Sequence, residues 1–244
     1  MVQRKKGRRA SSDSLVDLLW TARGKARRRG RKRGDKRGGA REGAGRKRLA
    51  PRPQVAHRKR TSVSLLEPLH VTVRVRADVP SLRQRAVNDL LREIFCAMKV
   101  RAGFKILQYS IQGNHIHMIV EAECRASMSS GMTSLMTRIA RRLNKFFGRV
   151  GRFFADRYHM VSMRTPKQVR RTLVCVFGNA RHHHAPQAGV IDDYTSGAWY
   201  GEWQEKVTVR GLEGLECPVE RHEAWLMHGG MVGLGRISVY ERPR

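Results

Sequence analysis

Residues 104–121, FKILQYSIQGNHIHMIVE, predict two β-strands joined by a tight turn. Phe104–Ile111 is rich in apolar and aromatic residues, Gly113-Asn114 is typical of a hairpin turn, and the chain returns from His115. Side chains two residues apart in a strand point to the same face. His115 and His117 are therefore expected to project side by side, with Ile116 facing the opposite layer.

Further elements are predicted on both sides of this hairpin. Residues 71–76, VTVRVR, alternate apolar with polar side chains as in a half-buried strand, and an amphipathic helix follows from Pro80-Ser81 to Met98. A second helix is expected over 127–147, an extended segment over 153–163 and a third helix from Pro166 to about Arg181. This order predicts an α+β fold of ferredoxin-like type, with a mainly antiparallel sheet and helices packed on it.

Charge separates the N-terminal segment from the rest. The net charge is +30, from 50 Lys and Arg against 20 Asp and Glu. Such a surface attracts polyanions and releases their counterions, which favours nucleic acid over an anionic membrane as the partner. Residues 1–60 hold 23 of the basic and 4 of the acidic residues. They bury too little apolar surface to offset chain entropy, so we expect a disordered basic arm there. The folded domain is expected over 61–205, with a C-terminal appendage over 206–244.

The cysteines and the apolar segments indicate a cytoplasmic protein. Cys96, Cys124, Cys175 and Cys217 form no Cys-x-x-Cys pair or disulfide framework, which suits a reducing compartment. No segment is long and apolar enough to suggest a membrane span.

Two adjacent imidazoles suit a divalent cation, and a third ligand would have to come from another element. The third predicted helix offers Asn179, followed by the run 182–184 of three histidines. Such a run at a helix end more often caps and solvates the helix than binds metal. A His-x-His pair alone is weak evidence, and surface or core histidines are the alternative.

Several motifs follow one another along the chain in the order found in one known family of proteins. Residues 110–120, SIQGNHIHMIV, resemble the strand–Asn-His-x-His–strand motif of the single-tyrosine HUH transposases, most of all their branch associated with REP hairpins. Residues 154–159, 164–183 and 193–200 resemble the strand, the nucleophile-bearing helix and the tail that follow in that family. The resemblance covers about residues 65–203.

This resemblance implies transesterification on single-stranded or hairpin DNA, as in DNA transposition and recombination. It implies one divalent cation, Mg²⁺ or Mn²⁺, held by His115, His117 and Asn179, and a tyrosine one helical turn before the third ligand. That tyrosine position holds Cys175. A thiolate is a good nucleophile, but its side chain is shorter than a phenol, and Gly178 weakens the same helix. We therefore expect impaired nicking with DNA and metal binding retained. The rescue alternative is Tyr158 or Tyr194 reaching the site.

Basic side chains supply the expected DNA contacts. The second helix carries Arg138, Arg141, Arg142 and Lys145 on its polar face, and Arg157 and Arg164, with Arg170 and Arg171, are expected to extend this track. Trp199, Tyr200 and Trp203 are expected in the core rather than stacked on bases. Two alternatives stay open: a fully active transposase, and a basic RNA-binding protein with a structural His pair. The sequence does not decide between a monomer and a homodimer.

Overall fold

The computed structural model describes residues 62–182, 191–209, 211–227 and 229–243, all within one compact unit spanning 50–244. The arm predicted over 1–60 lies outside the described residues. In the part of the chain that is described, no helix is both long and apolar enough to cross a membrane.

Four strands form one antiparallel sheet in the order β2-β3-β1-β4. The strands are β1 (Leu69–Arg74), β2 (Phe104–Ile111), β3 (His115–Ala122) and β4 (His159–Ser162). The predicted hairpin is present between β2 and β3, and the backbone N–H of Gln112 donates to the carbonyl of His115 across its turn at 2.8 Å. The antiparallel sheet expected from the sequence is therefore confirmed.

Three helices cover the two faces of this sheet. They are α1 (Arg85–Cys96), α2 (Arg125–Phe146) and α3 (Pro166–His182). The apolar faces of α1 and α2 pack with one side of the sheet, which includes Ile116 and Met118. The apolar face of α3 packs with the other side, which includes Leu107 and Ile119. Because strand residues alternate between faces, the odd-numbered residues of β3 belong to the α3 side.

The start of α3 is fixed by its own sequence. The Thr165 hydroxyl accepts the backbone N–H of Gln168 at 3.2 Å, and the Gln168 carboxamide oxygen accepts the Thr165 N–H at 3.2 Å. This reciprocal pair is a capping box, and Pro166 stands at the first helical position, where its missing N–H costs nothing. The direction in which α3 leaves β4 is thereby set locally.

The C-terminal segment, which comprises the described residues between 206 and 243, packs against α3. It contains two short 3-10 helices, Trp225–Met227 and Gly229–Leu234, and its buried side chains include Met227, Ile237 and Val239. These side chains share a core cluster with Leu173 and Phe177 of α3. The buried carboxylate of Glu121 at the end of β3 accepts the backbone N–H groups of Glu223 and Ala224, both at 2.9 Å. The segment is thus attached to the α3 side of the sheet.

Candidate metal and DNA site

The two histidines of β3 lie together as the strand periodicity predicts. Their ring centroids are 4.7 Å apart, with the rings nearly perpendicular, and both side chains are half-buried. They face the side of the sheet that α3 covers, while Ile116 between them is fully buried against α1 and α2. The pair therefore lies on the same side of the sheet as the helix that carries Cys175 and Asn179.

Neighbouring polar groups orient both rings through the Nδ1 nitrogen. The His115 Nδ1 lies 2.7 Å from the Asn114 carboxamide oxygen, and the His117 Nδ1 lies 3.1 Å from the Thr72 hydroxyl. An Nδ1–H tautomer satisfies the contact with Asn114 and places the ring lone pair on Nε2. Hydrogen bonds at the other ring nitrogen are the usual support of metal-binding histidines. The chemistry of both rings thus fits metal ligation through Nε2.

A third histidine adjoins the pair and was not singled out from the sequence. His70 of β1 stacks on His117 with ring centroids 5.2 Å apart, and its Nε2 lies 3.1 Å from the His117 Nδ1. Burial, followed by the nearby charge of His159, lowers the pKa of His70 to about 4. His70 is therefore neutral at physiological pH and supports the His117 ring as a hydrogen-bond partner.

The sequence feature that could have revealed His70 is the alternation of residues in β1. Recognising it also requires the register between β1 and β3. Residues 70, 72 and 74 share one face of β1, and the register pairs Thr72 with His117. The alternation of polar residues was visible in the sequence. Which residue of β1 faces which residue of β3 depends on a pairing between strands more than 40 residues apart.

Cys175 and Asn179 lie four residues apart on α3, one helical turn. Asn179 is buried and Cys175 is half-buried. Burial raises the pKa of the Cys175 thiol, and the positive charge of Arg171 offsets part of that rise. At neutral pH the Cys175 side chain is therefore a protonated thiol rather than the thiolate that acts as a nucleophile.

No ready-made metal cluster is present in residues 62–182 and the described segments after them. Among these residues no three His, Cys, Asp or Glu side chains are grouped to hold a metal ion. The set of His115, His117 and Asn179 combines two imidazoles with a carboxamide, and its convergence on one cation stays a prediction. The side chains of the run 182–184 lie outside the described ones.

The predicted DNA-contacting residues lie on both sides of the sheet. Arg138 and Arg141 of α2 line an open groove of about 850 Å³ together with Ser and Thr side chains of the same helix. Since α2 packs on the face opposite α3, this groove and Arg170 and Arg171 lie on opposite sides of the sheet. The continuous track expected from the sequence is therefore split into two surfaces.

The remaining basic residues of the predicted set have different surroundings. Arg142 pairs with Glu93 of α1, and Arg164 pairs with Glu67 at 3.4 Å. Lys145 is exposed near the end of α2, and Arg157 is half-buried beside Asp156. Only part of the set therefore presents a fully solvated cation.

The aromatic residues after α3 pack in the core, as expected. Trp203 is buried, donates its indole N–H to the Gly197 carbonyl at 3.0 Å and lies 4.9 Å from the Phe177 ring. Tyr200 completes this ring cluster. The chain returning from α3 is therefore fixed against the helix that carries the candidate site.

An ion pair holds the returning chain to the edge of the sheet. The Asp192 carboxylate accepts two hydrogen bonds from the Arg83 guanidinium, both at 2.8 Å, and that guanidinium lies 4.3 Å from the centre of the Tyr194 ring. The Ser196 hydroxyl accepts the backbone N–H of Tyr109 in β2 at 2.8 Å. Sequence reasoning did not single out Arg83 or Asp192, because more than 100 residues separate them.

These features define an antiparallel-sheet protein with a His-x-His pair on the sheet face that packs α3. The family model described as "Transposase IS200 like" matches residues 64–171. The matched residues include all four strands, α1, α2 and the first turn of α3, and over these residues the chain is similar to the IS200-like transposases. The resemblance inferred from the motifs is confirmed. The match ends at Arg171, before Cys175 and Asn179.

Two solved structures are similar to this chain. One is a REP-associated tyrosine transposase bound to a REP hairpin, with 17% identity over 53% of this chain and 75% of that chain, at a TM-score of 0.44. The other is a transposase candidate from Deinococcus radiodurans R1, with 13% identity over 49% of this chain and 93% of that chain, at a TM-score of 0.35. No curated protein matches this chain.

Proposed function

We propose that this protein is a transposase-type, metal-dependent DNA-binding protein whose nicking activity is impaired. The family match over the sheet supports the class of protein. The observation that carries the proposal is the adjacent pair His115 and His117, with ring centroids 4.7 Å apart, on the sheet face covered by α3. The expected substrate is single-stranded or hairpin DNA, which the excess of basic residues favours.

The residues present fit a divalent cation such as Mg²⁺ or Mn²⁺. The two imidazoles are oriented through Nδ1, and Asn179 offers a carboxamide oxygen from the helix on the same side of the sheet. When bound there, the cation supplies Lewis-acid polarisation of a phosphodiester oxygen. Thr72 and His70 hold the His117 ring in place, and Asn114 does the same for His115.

The impaired step is the nucleophilic attack. From the resemblance of residues 164–183 we expect Cys175 to stand where the family has its attacking tyrosine, and burial raises the pKa of its thiol. Tyr158 and Tyr194 are poor substitutes, because both pack with the core cluster on the α1–α2 side of the sheet. The protein is therefore expected to bind DNA in a metal-dependent manner and to form no covalent intermediate at a useful rate.

The test is a covalent adduct assay. A labelled DNA hairpin with single-stranded extensions is incubated with the protein and Mn²⁺, and adducts are sought on a denaturing gel. We expect wild type to bind the hairpin without an adduct, and Cys175→Tyr to form an adduct through a phosphotyrosine. Cys175→Phe is the matched control, since it has nearly the same size without the hydroxyl. Adding His117→Ala to Cys175→Tyr should abolish the adduct.

Different outcomes would overturn different parts of the proposal. A wild-type adduct that Cys175→Ala removes would show that the thiol itself attacks, and impaired nicking would be wrong. If wild type bound no hairpin DNA with Mn²⁺ but bound RNA tightly, the DNA-binding function would be wrong and an RNA-binding protein with a structural His pair would replace it.

A further inference from the structure

A basic pocket of about 830 Å³ lies between α3 and the end of the C-terminal segment. Lys167, Arg170 and Arg171 line it from the helix, and Glu241 and Arg242 line it from the segment. The spacing of the helix residues places all three on one side of α3. The wall that the C-terminal segment contributes lies outside the family match, which ends at Arg171, and the His pair does not line this pocket.

The C-terminal segment is fixed in place at this pocket. Arg170 donates two hydrogen bonds to the Glu241 carboxylate, at 2.6 and 2.8 Å, and a third to the carbonyl of Arg236 at 3.3 Å. About two turns further along α3, Gly178 packs so closely on Pro243 that an added Cβ would lie 2.9 Å from the proline Cδ. The wall that contributes Arg242 is therefore held by specific contacts.

The pocket carries excess positive charge. Its lining holds four cations and one carboxylate, and that carboxylate is already bound to Arg170. Lys167, Arg171 and Arg242 are exposed and form no ion pair with another described residue. Three cations converging on one concave surface repel one another and are stabilised by an anion.

We infer that this pocket binds the phosphodiester backbone of the DNA strand that leads to the face of α3. The inference rests on the proposed function and extends it by naming the contacts of Lys167, Arg171 and Arg242. Arg171 lies one helical turn before Cys175, so a strand held in the pocket passes directly beside the candidate site. A concave surface lined by three cations without ion-pair partners fits the negatively charged backbone of a single strand.

The experiment measures the salt dependence of hairpin binding by fluorescence anisotropy, with wild type and two triple variants. The pocket variant is Lys167→Ala, Arg171→Ala and Arg242→Ala. The control variant is Lys206→Ala, Arg85→Ala and Arg221→Ala, which also removes one Lys and two Arg from exposed positions. Each phosphate contact on a single strand contributes about 0.7 to the slope of log K against log salt. We expect the pocket variant to reduce the magnitude of this negative slope by about 2. The control variant is expected to leave the slope unchanged.

A second measurement does not depend on a variant. Acetylation of wild-type lysines, read by mass spectrometry, compares exposed Lys167 with exposed Lys206 in the presence and absence of the hairpin. We expect DNA to protect Lys167 and to leave Lys206 reactive. Equal protection of the two lysines would overturn the pocket.

The outcomes separate the pocket from the proposed function. If wild type binds the hairpin and the pocket variant keeps the wild-type slope, the pocket inference is wrong and the proposed function stands. If wild type does not bind the hairpin, both are wrong. If the pocket variant loses binding to anionic phospholipid vesicles and keeps its DNA slope, the pocket is a lipid headgroup site and the inference is also overturned.

Discussion

Replacing Gly178 tests how the C-terminal segment is seated on α3. In most helices Gly→Ala stabilises by about 1 kcal/mol, because alanine loses less backbone entropy. At Gly178 the added Cβ would lie 2.9 Å from the Cδ and 3.3 Å from the Cγ of Pro243. A proline ring cannot swing aside as a flexible side chain can, so the segment must shift.

The two opposing contributions decide the sign of the change. Overpacking of a well-packed contact costs about 1–3 kcal/mol, which exceeds the gain of about 1 kcal/mol in helix propensity. Gly178→Ala is therefore expected to lower the free energy of unfolding by up to about 2 kcal/mol in the wild-type background. In a Pro243→Ala background the two clashing ring atoms are gone, and the same substitution is expected to stabilise by about 1 kcal/mol.

The assay is a double-mutant cycle by urea unfolding, with hydrogen exchange of the peptide 236–243 as a local readout. Gly178→Ala should accelerate exchange in this peptide, since the Arg170–Glu241 ion pair is displaced together with the proline. The change of sign between the two backgrounds is the decisive result. If Gly178→Ala has the same effect on the free energy of unfolding in both backgrounds, the close packing of Pro243 on α3 is wrong.

Two further predictions concern the thiols and the ion pair at the sheet edge. Iodoacetamide should alkylate Cys124 faster than Cys175 in metal-free buffer. A hydrogen bond with the Ser127 side chain lowers the pKa of exposed Cys124, whereas burial raises that of Cys175. As the pH is raised, the alkylation rate of Cys124 should therefore begin to increase at a lower pH than that of Cys175. Equal pH profiles of the two thiols in mass spectrometry would contradict this. Asp192→Ala should lower the free energy of unfolding by about 2–3 kcal/mol, because it leaves the Arg83 guanidinium without its carboxylate. Asp193→Ala, at an exposed neighbour, should change it by less than about 0.5 kcal/mol, and a similar loss for both would contradict the assigned role.

Local patterns were sufficient for the elements and for the His pair. The alternation of residues 115–121 places His115 and His117 on one face whatever the rest of the chain does, because strand geometry has a period of two residues. The cap at Thr165–Gln168 likewise fixes the start of α3 from four adjacent residues. The excess of basic residues predicts a polyanionic partner in the same way.

The tertiary structure decided which distant residues meet. Strand pairing set His70 and Thr72 beside His117, and the layer order put the arginines of α2 and those of α3 on opposite faces of the sheet. Gly178, which weakens α3 by propensity alone, proved to be the place where Pro243 packs on the helix. Such contacts depend on burial and strand register between residues far apart in the chain, which a local periodicity does not reveal. The sequence by itself therefore determined the elements and their polar faces. Packing determined which elements and side chains became neighbours.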